Sequence, residues 1–175
     1  MIDNETIKTL LERRSCKAFL AQQISDEELN TVLEAGRFAP TAMNRQPTLF
    51  IAVQEKALME KIAKMNAAVM GRIGENPYYD APTVVLVLCK RTITTGVSDA
   101  SLAIGNMLNA AYSIGLGSCW VNREEEMFDS DEGKNLLMEL GIDGDWLGVG
   151  SCILGYPAAE NPEVRPRTNI VKIIK

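Results

Sequence analysis

The stretch TVVLVLC, residues 83–89, decides the fold class of this chain. It is a continuous apolar run rich in β-branched residues, with no polar side chain between its first and last positions. A strand with one solvated face alternates apolar and polar residues, whereas a strand buried on both faces reads as an unbroken apolar run. The stretch therefore predicts a central strand that is covered on both sides.

Further helices and strands surround this run in a mixed order. Strands are predicted at 48–54, 118–121, within 146–157 and, as an extended terminal segment, at 170–174. Helices are predicted at 4–13, from Ser25 towards Pro40, around 58–65, at 99–114 and at 131–140. Asn4 is a candidate N-cap, and Ser25 with Glu28 has the spacing of a capping box. Since no repeat or linker interrupts the pattern, one domain over residues 1–175 with helices packed on a central sheet is expected.

Composition excludes several classes of protein. The 175 residues carry a formal net charge of -5, and the sequence pI is about 4.9. Nucleic-acid binding needs a basic surface, so it is not expected. No apolar run approaches the roughly 20 residues of a membrane helix. The N-terminal stretch MIDNETIKTL lacks the features of a signal peptide, which predicts a soluble cytoplasmic protein.

The chain contains no histidine and four widely spaced cysteines. The absence of histidine excludes Ser-His-Asp and Cys-His catalysis and His-based metal sites. The cysteine spacing supports no zinc or iron–sulfur site, so no metal is predicted and four buried thiols are expected. If the chain is an enzyme, a cofactor is therefore expected to carry the chemistry, with no catalytic side chain of its own.

The stretch RRSCKAF, residues 13–19, gathers Arg13, Arg14 and Lys17 around Ser15. Cations at a helix end complement the helix dipole, which is one interpretation. Guanidinium groups beside a hydroxyl can also hold a phosphate. A second pair, Arg165 and Arg167, lies in a proline-rich C-terminal segment and could converge on the same anion.

Three other stretches have two interpretations each. In PTAMNRQP, residues 40–47, Asn44 and Gln46 could read the edge of a heteroaromatic ring or lie in an ordinary turn. In IGLGSCW, residues 114–120, the glycines could close a helix or let the backbone approach a flat ligand. The acidic stretches REEEMFDSDE and SDEEL are interpreted as solvated helix starts, where carboxylates complement the helix dipole.

These motifs, in this order, resemble those of the nitroreductase family of FMN-dependent oxidoreductases. RRSCKAF resembles the opening flavin motif of that family, and APTAMNRQP resembles its second motif. AIGNMLNAAYSIGLGSCWV is similar to the long central helix and following turn, and LGYP with RPR to the C-terminal phosphate loop. The resemblance implies an α+β fold, a three-layer α-β-α sandwich with a mixed, mainly antiparallel sheet.

The resemblance also implies roles for individual residues. Arg13 and Ser15 would hold the FMN phosphate with Arg167 and Arg165, and Arg14 would line the same strip. Lys17 would lie near the N1–O2 edge of the ring, where a cation favours the reduced flavin. The remaining cofactor contacts implied are Asn44, Gln46, Pro40, Thr41, Ala42, Gly117, Ser118, Val121 and Asn122. Of these, Pro40, Thr41 and Ala42 would come from the same subunit or from the other one.

The family further implies a homodimer with FMN at the interface and ping-pong hydride transfer from NAD(P)H to a small acceptor, such as a nitroaromatic or a quinone. The terminal IVKII could extend the sheet of the partner. Two alternatives stay open: a non-enzymatic FMN-binding redox sensor or carrier, and a family member that uses FMN for another reaction, such as reductive dehalogenation or flavin breakdown.

The chain departs from the family pattern in three places. Thr48 replaces the aromatic residue that often follows Gln-Pro. Asn122 and Arg123 stand where some relatives have an acid-glycine pair at the ring edge. The segments that often build a lid over the site are short.

Overall fold

The computed structural model describes residues 2–160 and 162–175. Within them the chain forms six α-helices and four strands. The helices are α1 (Glu5–Glu12), α2 (Asp26–Arg37), α3 (Lys56–Val69), α4 (Gly96–Ser113), α5 (Glu124–Asp129) and α6 (Asp131–Glu139). The strands are β1 (Thr48–Val53), β2 (Thr83–Lys90), β3 (Gly117–Val121) and β4 (Trp146–Gly155).

The helix starts follow the local sequence. Asn4 caps α1 by accepting from the Ile7 backbone N–H at 2.9 Å. Ser25 and Glu28 form the predicted reciprocal capping box of α2. These caps satisfy backbone donors that the first turn of a helix leaves free, so both helices begin where the sequence predicted.

The four strands form an antiparallel sheet in the order β1-β2-β4-β3. β2 is central, and its side chains alternate between the two faces. Val84, Leu86 and Leu88 join one core cluster, and Val85, Val87 and Cys89 join the other. Since both sets are fully enclosed, TVVLVLC is the doubly buried strand that the sequence predicted.

Helices cover both faces of this sheet. α2 and α4 pack on the face of Val85 and Val87, while α3, α5 and α6 pack on the face of Val84 and Leu86. The expected three-layer α+β arrangement is thus confirmed. Its one parallel element among the described residues is an isolated bridge between Ser15 and Ser118.

All four cysteines are free and buried, as predicted. The sequence missed α5, which lies in a stretch interpreted only as an acidic helix start. Residues 170–174 are exposed, and they form no strand within the described part of the chain. No helix in that part is both long and apolar enough to cross a bilayer.

Candidate functional site

The cationic strip, residues 13–17, leaves the end of α1 and passes the start of β3. Arg13 is the C-cap of α1. Ser15 bridges Ser118 in a parallel register, and the Cys16 backbone N–H donates to the Ser118 carbonyl at 2.9 Å. The strip is therefore fastened to the outer edge of β3 by its backbone, which leaves its charged side chains free to serve a ligand.

The two arginines of the strip carry buried nitrogen atoms without partners. Arg14 Nη1 donates to the carbonyls of Leu11 and Arg13, at 2.8 and 2.6 Å, so this atom serves the helix end. Arg13 Nη1 and Arg14 Nη2, by contrast, are buried and have no hydrogen-bond partner among residues 2–160 and 162–175. A buried donor without an acceptor costs free energy, so these two atoms suit an anion brought in from outside.

Lys17 lies beside an aromatic residue that the sequence analysis did not select. Its ammonium group is 5.3 Å from the centroid of the Tyr79 ring, within cation–π distance. Tyr79 and the following Asp80 have φ values of 54° and 56°, a left-handed conformation that non-glycine residues seldom adopt. Such strain clusters at ligand sites, so Tyr79 and Asp80 join the candidate site.

The remaining predicted contacts on this side follow β3. Ser118 is buried, and its hydroxyl donates to the Leu108 carbonyl at 3.4 Å. Val121 packs into the core through its side chain, and Gly117 is buried at the strand start. Asn122 is exposed just after the strand, about 13 Å along the chain from Ser118 at ~3.3 Å per residue. Gly117, Ser118 and Val121 can thus meet a ligand only through their backbone, whereas Asn122 can use its side chain.

The second motif forms a strained loop, residues 40–47, before β1. Met43, Asn44 and Gln46 all have φ between 48° and 55°. Three hydrogen bonds hold this shape. The Gln46 side chain donates to Asn44 Oδ1 at 2.9 Å, the Gln46 backbone N–H donates to Thr41 Oγ1 at 3.2 Å, and the Ala42 backbone N–H donates to Asp99 Oδ1 at 3.2 Å. Asp99 is buried at the start of α4, and no motif in the sequence pointed to it.

A cavity of about 550 Å³ opens beside this loop. Four of the predicted contacts line it, namely Pro40, Thr41, Asn44 and Gln46. Thr48 lines it as well, and its buried hydroxyl has no hydrogen-bond partner in the described chain. The amides and this unused hydroxyl are groups that can read a polar ring edge.

The strip and the loop lie far apart in one chain. The loop contacts Asp99 at the start of α4, whereas the strip lies near its end, where Ser118 bonds Leu108 and Tyr112 bonds Glu12. At 1.5 Å per residue these points on α4 are about 14 to 20 Å apart. They also flank opposite edges of the sheet, β3 for the strip and β1 for the loop. The structure therefore separates two groups of residues that the resemblance assigns to one cofactor.

Arg165 and Arg167 lie in the segment 162–175, which has no assigned helix or strand, and both are exposed. Their predicted convergence with Arg13 on a phosphate stays a prediction.

One acidic residue contradicts the interpretation of REEEMFDSDE as a solvated helix start. Glu125 and Glu126 are exposed, but Glu124 is completely enclosed. Its Oε1 accepts hydrogen bonds from the Ser151 hydroxyl and, at 3.4 Å, from the Tyr78 hydroxyl. Gly148 makes this possible, because a Cβ there would lie 2.1 Å from the Glu124 carbonyl oxygen. The sequence offers one signal for this burial, the small residues of the GVGS stretch that face α5.

The enclosed carboxyl has unusual acid–base properties. Glu124 Oε2 has no hydrogen-bond partner among the residues that the structure describes. Burial raises the pKa of Glu124 from 4.5 to about 7, against the opposing effects of the Ser151 hydrogen bond and the nearby Arg123 charge. The charge of Glu124 also raises the pKa of Tyr78, after burial as the larger cause. This group therefore changes its charge near neutral pH.

Asn66 of α3 connects this cluster to the turn after β3. It is fully buried, and its Nδ2 donates to the Asn122 carbonyl at 2.9 Å while its Oδ1 accepts from Arg123 Nε at 2.7 Å. Arg123 has φ 90°, which is left-handed. Sequence reasoning missed Asn66, since a polar residue inside an amphipathic helix carries no spacing signal.

Comparisons with known proteins identify the family of the chain. The profile of the Nitroreductase family matches residues 10–79. A protein of Archaeoglobus fulgidus provisionally named NADH dehydrogenase/NAD(P)H nitroreductase is 35% identical over 162 residues, covering 89% of this chain and 87% of that protein. The FMN reductase [NAD(P)H] of Bacillus subtilis is 30% identical over 138 residues, covering 66% of this chain and 53% of that protein.

Solved structures are similar as well. A nitroreductase with bound FMN from Bacteroides fragilis is 29% identical, with a TM-score of 0.91 over 99% of this chain and 100% of that one. The arrangement of helices and strands thus matches across the full length. Together with the sequence similarity, this confirms the resemblance drawn from the motifs: the chain belongs to the nitroreductase family.

Proposed function

We propose that this protein is an FMN-dependent NAD(P)H oxidoreductase formed by a single domain over residues 1–175. The observation that carries the proposal is the pair of buried, unpartnered guanidinium nitrogens on Arg13 and Arg14. The names of the similar proteins from A. fulgidus and B. subtilis, and the FMN bound in the B. fragilis structure, support it. A flavin also supplies redox chemistry to a chain that lacks histidine.

The strip residues fit the phosphate end of FMN. Arg13 Nη1 and Arg14 Nη2 provide charge-assisted donors, and the exposed Ser15 hydroxyl lies between them and Lys17 in sequence. Arg165 and Arg167 would complete the binding site of the phosphate if residues 162–175 fold back onto a cationic strip. Lys17, beside Tyr79, would place a cation next to the electron-rich edge of the ring.

The chain would orient the ring rather than react itself. Gly117, Ser118 and Val121 would offer backbone groups, and Asn122 its side chain, along the β3 edge. Bound FMN would supply two-electron redox chemistry between NAD(P)H, which is oxidised to NAD(P)⁺, and a small acceptor, which is reduced, with the balancing proton coming from solvent. The protein would hold the ring in place and bind the two substrates one after the other at the same position, which fits a ping-pong mechanism.

The contacts of the loop 40–47 would come from a second copy of the chain. In one chain the loop and the strip lie about 14 to 20 Å apart along α4. A two-fold dimer could bring the loop of one copy to the strip of the other, so that Pro40, Thr41, Ala42, Asn44 and Gln46 reach the flavin across the interface. α4 leaves Leu102 half exposed, and the apolar side chains of the tail, from Ile170 to Ile174, are almost fully exposed. These surfaces are available to a partner, and a monomeric mass with FMN still bound would contradict the dimer.

Anaerobic reduction tests the proposed function. The purified protein should be yellow, and NADH or NADPH should bleach it rapidly in the absence of oxygen. A panel of nitroaromatic and quinone acceptors should then restore the colour and identify the acceptor. A yellow protein that neither nucleotide bleaches would favour a redox sensor or carrier. A colourless protein that cannot be reconstituted with FMN would overturn the proposal, and the cytoplasmic location stays a prediction.

A further inference from the structure

The turn after β3 is held from several sides, although Asn122 at its tip is exposed. Arg123 has φ 90° and ψ 7°, a left-handed conformation that costs a non-glycine residue about 1 kcal/mol. Strain of this kind persists only where the surroundings enforce it, and it concentrates at ligand sites. The residues that enforce it therefore indicate what the turn is built to present.

Asn66 fixes the backbone of the turn. Its amide donates to the Asn122 carbonyl at 2.9 Å and accepts from Arg123 Nε at 2.7 Å, so both of its ends are engaged. Asn66 is completely buried and belongs to α3. The main chain of Asn122 consequently cannot rotate without breaking a buried hydrogen bond.

Trp120 fixes the side chain of Asn122. The indole Nε1 of Trp120 donates to Asn122 Oδ1 at 2.5 Å. The indole ring is held in place because Gly150 leaves room for it: a Cβ on Gly150 would lie 2.6 Å from Nε1. An indole N–H can only donate, so the oxygen of the Asn122 amide must face Trp120. This chemistry removes the usual ambiguity between the two ends of an asparagine amide.

The nitrogen of the same amide is left for a ligand. Asn122 Nδ2 makes no hydrogen bond to any residue in the described ranges, and the side chain is exposed. We infer that Asn122 is a hydrogen-bond donor of fixed orientation at the ring edge of the flavin site, and that Trp120 and Asn66 are the positioning residues that enforce it. The inference rests on the proposed function for the identity of the ligand.

The amide nitrogen of Asn122 determines which ligand atoms this edge can bind. An amide nitrogen offers donors alone, so it matches acceptors such as a ring nitrogen or a carbonyl, nitro or quinone oxygen. An ionised carboxylate at the same position would offer acceptors and a negative charge. The chain therefore favours electron-rich atoms at this edge.

Substitution of Asn122 by Asp separates the oxygen that accepts from Trp120 from the nitrogen that donates to a ligand. Asn122→Asp keeps an oxygen for the Trp120 indole and changes only the outward group from donor to anion. The FMN dissociation constant should rise about tenfold, and the midpoint potential of the bound flavin should fall, because an anion disfavours added electrons. Asn135→Asp is the matched control, since it makes the same change at an exposed position of α6 and should leave both values unchanged.

Removal of the indole donor tests the positioning residue. Trp120→Phe keeps an aromatic ring over Gly150 but frees the Asn122 amide to rotate. The FMN dissociation constant should therefore rise and the midpoint potential should fall, each by less than in Asn122→Asp. Trp146→Phe is the control, because the Trp146 indole donates to the Asp143 carbonyl in another part of the molecule. A wild-type potential and FMN affinity in Asn122→Asp would overturn the inference.

A measurement without cofactor distinguishes this inference from the proposed function. The chain has two tryptophans, so an ¹H–¹⁵N spectrum of the cofactor-free protein contains two indole signals. Asn122→Ala should move the Trp120 signal strongly, and Asn122→Asp should keep it in a hydrogen-bonded position. If both signals stay in place in Asn122→Ala, the orientation is wrong whatever the protein binds. If the indole signal behaves as expected and FMN does not bind, the proposed function fails instead.

Discussion

Each end of β3 has ionisable side chains with a buried atom that lacks a hydrogen-bond partner among the described residues, cationic at one end and acidic at the other. At the start of the strand, Arg13 Nη1 and Arg14 Nη2 lack acceptors. Beyond its end, Glu124 Oε2 lacks a donor. The arginine side chains are only half buried, whereas Glu124 is completely enclosed.

This difference in access decides how each charge is compensated. A guanidinium cannot lose its proton in proteins, so the half-open arginines need an anion from outside. A carboxyl can take up a proton, and no ligand can reach Glu124, so this group is neutralised by protonation near pH 7. An unpartnered buried atom thus indicates a binding site at one end and a titrating group at the other.

The largest expected effect is a pH dependence of stability from Glu124. Its pKa is about 7 in the folded chain and near 4.5 in the unfolded chain. Between these values the folded state holds a proton that the unfolded state has lost, so the free energy of unfolding falls as pH rises through this window. The loss is roughly 3 kcal/mol and is complete above pH 7. Urea denaturation of the cofactor-free protein at pH 5 and pH 8 measures it.

Glu124→Gln is the matched control for this fall in the free energy of unfolding with pH. It keeps the shape of the side chain but cannot titrate, so the variant should lose less stability than the wild type between pH 5 and pH 8. Equal losses in both proteins would mean that Glu124 is already ionised at pH 5 and that the contrast between the two ends of β3 is wrong.

The next effect concerns the other end of the strand. Arg13→Ala should weaken FMN binding by about ten- to hundredfold, since a charge-assisted hydrogen bond to a phosphate contributes ~1.5–3 kcal/mol. The stability of the cofactor-free protein should change little, because Arg13 Nη1 has no partner to lose among the described residues. Fluorescence titration with FMN measures the affinity.

Arg14→Ala gives the comparison within the strip. One of its nitrogens already serves the carbonyls of Leu11 and Arg13, so its loss should reduce FMN affinity less and stability more. If Arg13→Ala binds FMN as tightly as the wild type, the cations of the strip serve only the helix end.

A smaller effect is expected at Ser151. Its hydroxyl donates to Glu124, and this bond lowers the pKa of the carboxyl. Ser151→Ala should therefore raise that pKa further and destabilise the protein by about 1 kcal/mol more at pH 8 than at pH 5. Thermal or urea unfolding at the two pH values tests this, and a pH-independent loss would indicate packing alone.

An effect of the same size as that at Ser151 distinguishes backbone strain from side-chain contact at Arg123. Arg123→Gly and Arg123→Ala both remove the bond to Asn66 Oδ1, but only glycine adopts φ 90° without strain. The glycine variant should be more stable by about 1 kcal/mol. Equal stabilities would show that the turn relaxes once the arginine contact is gone.

Much of the fold could be predicted because its signals are local. The unbroken run of β2, the caps at Asn4 and Ser25 and the helical spacing of α4 each depend on residues within a few positions of one another. The strip and the loop could be selected as site candidates for the same reason. The short helix α5 was missed, because six residues carry too little periodicity.

By itself, the sequence determined the doubly buried strand, the helix starts and the family motifs, since neighbouring side chains and backbone propensities specify them. Only the tertiary structure decided which of three consecutive glutamates is enclosed, where the strip lies relative to the loop, and which way Asn122 faces. Those outcomes depend on three contacts: Gly148 lies against Glu124, Asp99 accepts from Ala42, and Trp120 donates to Asn122. The packing of the folded chain, and not the local sequence pattern, decides them. Burial and hydrogen-bond partners are properties of packed elements, so the contrast between the two ends of β3 becomes visible only in the folded chain.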